Sequence, residues 1–149
     1  VFEDSKRILG LDIGTKRTGI AIADETLSLA SPLHCIEANS HQDWLTKLLK
    51  VLENYSIEKL IVGIPLNQHG EEGKDAQRIK KYIALLREQL KFPVIEWDER
   101  FTTVQAERAL LSTDMSRKNR KQVIDQIAAT MMLQSYLDYM RFQKELPTL

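Results

Sequence analysis

The segment Leu60-Ile61-Val62-Gly63-Ile64-Pro65 constrains this chain more than any other. It is short, almost continuously apolar and bounded by Pro65, so it has the length of a strand rather than of a helix. A strand with one face in water alternates apolar and polar residues, and this one does not. It therefore reads as a strand covered on both faces, and the chain must supply helices for both.

The flanking segments can do so. Arg7 to Ile13 reads as a strand, Gly14-Thr15-Lys16-Arg17 as a turn and Thr18 to Asp24 as the returning strand of a hairpin. Ser31 to Glu37 is a third strand, with Pro32 near its start, where a missing N–H is tolerated. Trp44, Leu45, Leu48, Leu49 and Leu52 recur at helical spacing behind a cap at Asn39 or Ser40. Ala76, Ile79, Ile83, Leu86 and Leu90 mark a second amphipathic helix, which Phe92-Pro93 ends before a fifth strand, Val94 to Asp98. Thr102 and Gln105 form a capping box that predicts a short helix to about Leu111. Ser112 to Lys121 reads as a polar, basic connector, and a last long helix is expected from near Gln122 to about Phe142. A hairpin-led antiparallel half followed by β-α-β crossovers predicts an α/β fold. Its mixed sheet has five strands, three antiparallel and then two parallel, with helices on both faces. The length fits one domain spanning residues 1–149.

Lys plus Arg and Asp plus Glu both number 21, so formal net charge is zero and bulk attraction to nucleic acid is excluded. Two local basic groups remain, Lys16-Arg17 and Arg117-Lys118-Asn119-Arg120-Lys121. No apolar run approaches the ~20 residues of a membrane helix, and no membrane partner is expected. Val1 to Arg7 has charges with no long apolar core behind them, unlike a secretory signal. Cys35 is the single cysteine, which rules out an intramolecular disulfide and a thiolate metal cage. A reducing, cytoplasmic setting follows as the expectation, with Cys35 as a packing residue. His34, His41 and His69 share no zinc-ligand spacing, and no Walker loop or dinucleotide fingerprint is present.

Three acidic positions stand out. Asp12 closes an apolar strand just before Gly14, where it either caps the turn or meets a ligand at the strand end. Asp98-Glu99-Arg100 follows the fifth strand, where an acid either complements the next helix or serves a site. Asp125 shares a helical face with Ala128, Ala129, Met132 and Tyr136, an apolar and inward-looking stripe. An unpaired carboxylate is costly there, unless it lies in the first turn and answers the helix dipole. Carboxylates without charge partners invite a divalent cation, Mg²⁺ or Mn²⁺, of the kind that serves phosphoryl chemistry.

These segments together resemble a known family. Gly10-Leu11-Asp12-Ile13-Gly14-Thr15-Lys16-Arg17-Thr18-Gly19-Ile20-Ala21 is similar to the opening motif of the YqgF family, also called RuvX. Val62-Gly63-Ile64-Pro65-Leu66 with Gly70, Asp98-Glu99-Arg100-Phe101-Thr102-Thr103 with Ala106, and Ser116 through Tyr136-Leu137 resemble its second, third and fourth motifs. The resemblance spans nearly the whole chain, in order. It implies an RNase H-like fold related to Holliday-junction resolvases. It also implies a nuclease, with members regarded as acting on the 5′ end of 16S ribosomal RNA precursors. The family's acids fall on Asp12, Glu99 and Asp125, as catalytic residues and metal ligands of a two-metal phosphodiesterase. Asp98 is the rival of Glu99, because the fourth strand, which carries the second acid in related resolvases, is read here as Leu60 to Pro65 and has none. Lys16 and Arg17 match the family's basic turn; with Arg100, Arg117, Lys118, Arg120 and Lys121 they are expected to hold substrate phosphates.

Three other functions compete: a Holliday-junction resolvase, a non-catalytic RNA-binding assembly factor and an actin-like phosphate-binding module. The chain is too short for the two domains of the last. Structured RNA is expected over a four-way junction, because symmetric resolution needs two sites on a two-fold axis. No helix is apolar enough to demand a partner, although Trp44, Tyr136, Tyr139 and Met140 are interface candidates. A monomer or weak dimer is the expectation.

Overall fold

The computed structural model describes residues 5–101 and 117–145, and their side chains apart from 117–123 and 145. The order is β1 (Arg7–Ile13), β2 (Arg17–Ala23), β3 (Ala30–Glu37), α1 (His41–Leu52), β4 (Ile57–Ile64), α2 (Lys74–Gln89), β5 (Val94–Asp98) and α3 (Arg117–Glu145). A single 3-10 turn, Glu99–Phe101, follows β5. The sheet runs β3-β2-β1-β4-β5. The pairs β1–β2 and β2–β3 are antiparallel, while β1–β4 and β4–β5 are parallel. This is the mixed five-stranded α/β sheet expected from sequence.

The apolar run lies in β4, between two parallel neighbours, and Leu60 to Ile64 are all buried. Side chains alternate across the sheet. On one face Leu9, Leu11, Ile13, Ile20, Leu60 and Val62 meet α1 and α2 through Trp44, Leu48, Ile79 and Ile83. On the other, Ile8, Ala21, Ala23 and Ile61 meet Ala129, Met132, Leu133, Tyr136 and Leu137 of α3. Each fully buried aliphatic side chain contributes roughly 1.5–3 kcal/mol. Ser40 caps α1, its hydroxyl accepting from the Asp43 N–H at 3.1 Å, while the Asp43 carboxylate accepts from the Asn39 N–H at 3.2 Å.

Several boundaries differ from the sequence expectation: β4 begins at Ile57 rather than Leu60, which brings the exposed Glu58 into that strand, and the last helix ends at Glu145 rather than near Phe142. That helix also starts at Arg117 rather than near Gln122, so the basic run forms its first turns. Arg, Lys and Gln are good helix formers, and a polar composition by itself does not break a helix. The helix expected from Thr102 to Leu111 lies outside the described residues, as do the side chains of Arg117, Lys118, Arg120 and Lys121.

Candidate active site

Glycines decide how α3 meets the sheet. Asp12 on β1 pairs across the sheet with Gly19 on β2. A Cβ at Gly19 would overlap the backbone carbonyl of Asp125, so the helix lies directly on that strand only because Gly19 has no side chain. At Gly10 a Cβ would come within 3.0 Å of the Leu133 Cβ. Gly63 on β4 makes room in the same way: a Cβ there would lie 2.5 Å from Glu99 Oε1 and 2.6 Å from Met132 Sδ. Gly19, Ala21 and Ala23 thus form a row of small residues on one face of β2, a pattern at every second residue that was the available signal of a close helix and that the sequence reading did not use. The functional weight of Gly19 and Gly63 was not readable in the sequence.

Asp12, Glu99 and Asp125 converge on this face, at one end of the sheet. Burial raises the Asp12 carboxyl to about 8, helped by the charge of Glu99, a hydrogen bond with its side chain, and the charge of Asp125. Asp12 is therefore not a simple turn cap. Asp125 follows Arg117 by eight residues along α3, more than two helical turns, so the helix dipole does not account for it.

Asp125 does have a partner. Arg17 Nε donates to its Oδ2 at 2.8 Å, and Arg17 Nη1 lies 3.8 Å from Glu37 Oε1. Hydrogen bonding to Asp125 leads the causes that raise the Arg17 pKa above its ordinary value. Asp98 is occupied differently: the Arg100 guanidinium holds it through Nε at 2.9 Å and Nη2 at 2.6 Å. That hydrogen bonding lowers the Asp98 carboxyl below the usual range. Glu99 stands beside Asp12, whereas Asp98 is tied to Arg100, which lies against Gly70. Lys16 is exposed on the β1–β2 turn. Arg78 of α2, not singled out in the sequence, holds that turn by donating to Gly14 O at 3.3 Å and Ile13 O at 3.4 Å.

Two adjacent carboxyls sharing one hydrogen bond suit a hard divalent ion. Among the described residues no group of three or more His, Cys, Asp or Glu is assembled to hold a metal. The third acid, Asp125, is turned to Arg17 instead. The residues therefore fit a cation at Asp12 and Glu99, with Asp125 joining only by exchanging its arginine.

A mixed sheet in this strand order, with α1 and α2 on one face and α3 on the other, defines an α/β protein with an RNase H-like fold. The chain belongs to the RuvX family, whose model, described as a Holliday junction resolvase, matches residues 6–139. A protein of Caldanaerobacter subterraneus named "Putative pre-16S rRNA nuclease" is 45% identical over 133 residues, 89% of this chain and 96% of its own. One of Bacillus cytotoxicus with the same name is 44% identical over 134 residues, 89% of this chain and 98% of its own. The structure of T. thermophilus RuvC in complex with a Holliday junction substrate superposes with a TM-score of 0.56 over 92% of this chain and 96% of that one. At 14% identity that likeness concerns the fold alone. Among the described residues, no helix is long and apolar enough to cross a membrane.

Proposed function

We propose that this chain is a metal-dependent nuclease that hydrolyses phosphodiester bonds in a precursor of 16S ribosomal RNA. The observation that carries the proposal is the placement of Asp12, buried at the end of β1 beside Glu99 and near Asp125. Carboxylates repel phosphate unless a cation lies between them, so a pair such as Asp12 and Glu99 has no use in plain anion binding. Family membership and the names of the relatives point the same way.

In this proposal Asp12 and Glu99 hold a divalent cation, and Asp125 is available to a second one. Such ions, when bound, supply a Lewis acid for the phosphoryl oxygen and lower the pKa of water. The chain's own residues do the rest. Gly19 and Gly63 fix the acids against the sheet. Arg17 neutralises Asp125 in the unloaded protein and stands ready to hold a substrate phosphate once released. Lys16 on the exposed turn, Arg100 and the basic run from Arg117 to Lys121 extend phosphate contacts on either side.

Cleavage of matched RNA-precursor and four-way-junction substrates by wild type and Asp12→Asn tests this. Mg²⁺- or Mn²⁺-dependent cutting of the precursor, abolished by Asp12→Asn in a folded protein, is expected. Full activity of the wild type in EDTA would overturn the metal mechanism. Paired symmetric nicks in the junction, with the precursor untouched, would replace the substrate.

A further inference from the structure

On the opposite side of the β1–β2 turn from the acids lies a cavity of about 170 Å³. That exceeds the ~150 Å³ that accepts a single benzene-sized ring. Its walls are the turn itself, the segment leading into α1, and Tyr82 of α2. The β1 alternation explains the placement: Asp12 faces α3, while Ile13 faces α1 and α2 and lines the cavity. A strand of nucleic acid crossing the turn at Asp12 would pass from one to the other.

The lining has two kinds of chemistry. One is aromatic: His41 and Tyr82 lie 4.9 Å apart between ring centroids, and Trp44 meets Tyr82 edge-on at 4.6 Å. The other is polar and cationic, with Lys16, Thr15 and Asn39 at the walls and no Asp or Glu among the lining residues. The walls are also held in place. The Trp44 indole N–H donates to the buried Thr18 hydroxyl at 2.9 Å, and Arg78 pins the turn from behind. His41 is exposed and Tyr82 half-buried, so rings are accessible at the mouth. A planar base with an anionic phosphate attached matches this combination; a free anion would leave the rings unused, and an apolar ligand would leave the lysine unused.

We propose that this cavity is a nucleotide subsite, which takes one unpaired base of the RNA strand against His41 and Tyr82 with the adjoining phosphate at Lys16. The inference rests on the nuclease reading above and deepens it. It makes the substrate single-stranded next to the cut, as expected for recognition by stacking rather than by duplex shape.

The test reads the cavity directly. Trp44 and Trp97 are the two tryptophans. In a Trp97→Phe background Trp44 is therefore the only indole, and it lines the cavity. Titration with a short oligouridylate in EDTA should change Trp44 emission saturably. His41→Ala and Tyr82→Leu, checked for native circular dichroism, should each weaken that binding by at least ~5-fold, the low end for losing one stacking aromatic. Because His41 is exposed in the first turn of α1, its replacement keeps the test open should Tyr82→Leu fail to fold. Oligouridylate binding, followed by anisotropy, that leaves Trp44 silent or is unchanged in His41→Ala overturns the subsite. If cleavage depends on Asp12 while the cavity stays silent, the nuclease reading survives and the subsite does not. If Trp44 responds while cleavage is indifferent to Asp12→Asn, the subsite survives and the nuclease reading falls.

Discussion

Asp12 stands where burial and the neighbouring Glu99 both oppose its ionisation, and its carboxyl is raised from 3.8 to about 8. The folded chain thus binds a proton that the unfolded chain has released between those values. The resulting stability is fully present below about pH 4 and is lost as pH rises through about 8. Asp12→Asn does not titrate. In EDTA its advantage over wild type should grow from pH 4 to pH 8, reaching a few kcal/mol, as thermal melts across that range would show. Added Mg²⁺ should narrow the gap by stabilising wild type. A constant difference at all pH values would remove the buried-acid account. Arg17 offers a second test, because it and Asp125 are both largely shielded, with 20% and 27% of their side chains exposed. Arg17→Met should cost about 1–3 kcal/mol in urea melts without metal, because a charged hydrogen bond disappears and a carboxylate is left alone. If a cation takes the place of the arginine at Asp125, Mg²⁺ should recover part of that loss.

The packing of α3 on β2 belongs to the scale of elements. Its closeness depends on Gly19, where any Cβ meets backbone rather than a movable side-chain end. Gly19→Ala should therefore lift the helix, cost about 3 kcal/mol or more in denaturant melts and separate Asp125 from Asp12. Gly63→Ala meets the Glu99 carboxylate and the Met132 sulfur, both ends of flexible side chains. It should cost less stability, roughly 1–2 kcal/mol, yet remove most cleavage by displacing Glu99. Equal melting losses for the two variants would contradict this distinction. The first turns of α3 carry the basic run. Replacing Lys118, Arg120 and Lys121 with Ala should flatten the salt dependence of RNA binding, by roughly 0.7–0.9 for each phosphate no longer neutralised. An unchanged slope would leave those charges a solubilising role.

At the scale of the whole molecule, the interface candidates sort themselves. Trp44 and Tyr136 are 4% exposed and belong to the two cores. Tyr139 and Phe142 of α3, with Phe101 after β5, remain exposed at 49%, 58% and 64%. Tyr139 and Phe101 both pack on Trp97, as does Tyr136 at 5.5 Å. Among the described residues, three exposed rings are far short of the ~800 Å² per partner that a standard stable interface buries. Sedimentation at micromolar concentration should accordingly show a monomer or a weak, concentration-dependent dimer. A tight two-fold dimer would favour paired cuts in a junction over a single cut in RNA.

The sequence by itself determined the sheet and the helices that cover it. Apolar periodicity sets which face of each element is buried, and that information is local to each segment. The run at Leu60 to Ile64, the hairpin around Gly14 and the stripe through Ala129, Met132 and Tyr136 were all legible for this reason. The acids at positions 12, 99 and 125 were legible as oddities, but their company was not. Two acids adjacent in sequence, Asp98 at the end of β5 and Glu99 in the 3-10 turn that follows, meet different partners: Arg100 holds the first, and the second lies beside Asp12. The ion pair of Arg17 with Asp125 joins residues 108 apart in sequence. Only the tertiary structure decided these pairings, and the cavity behind the turn with them. They depend on how closely α3, α1 and α2 approach the sheet, a distance set by glycine and alanine where the elements touch rather than by the pattern of any one segment.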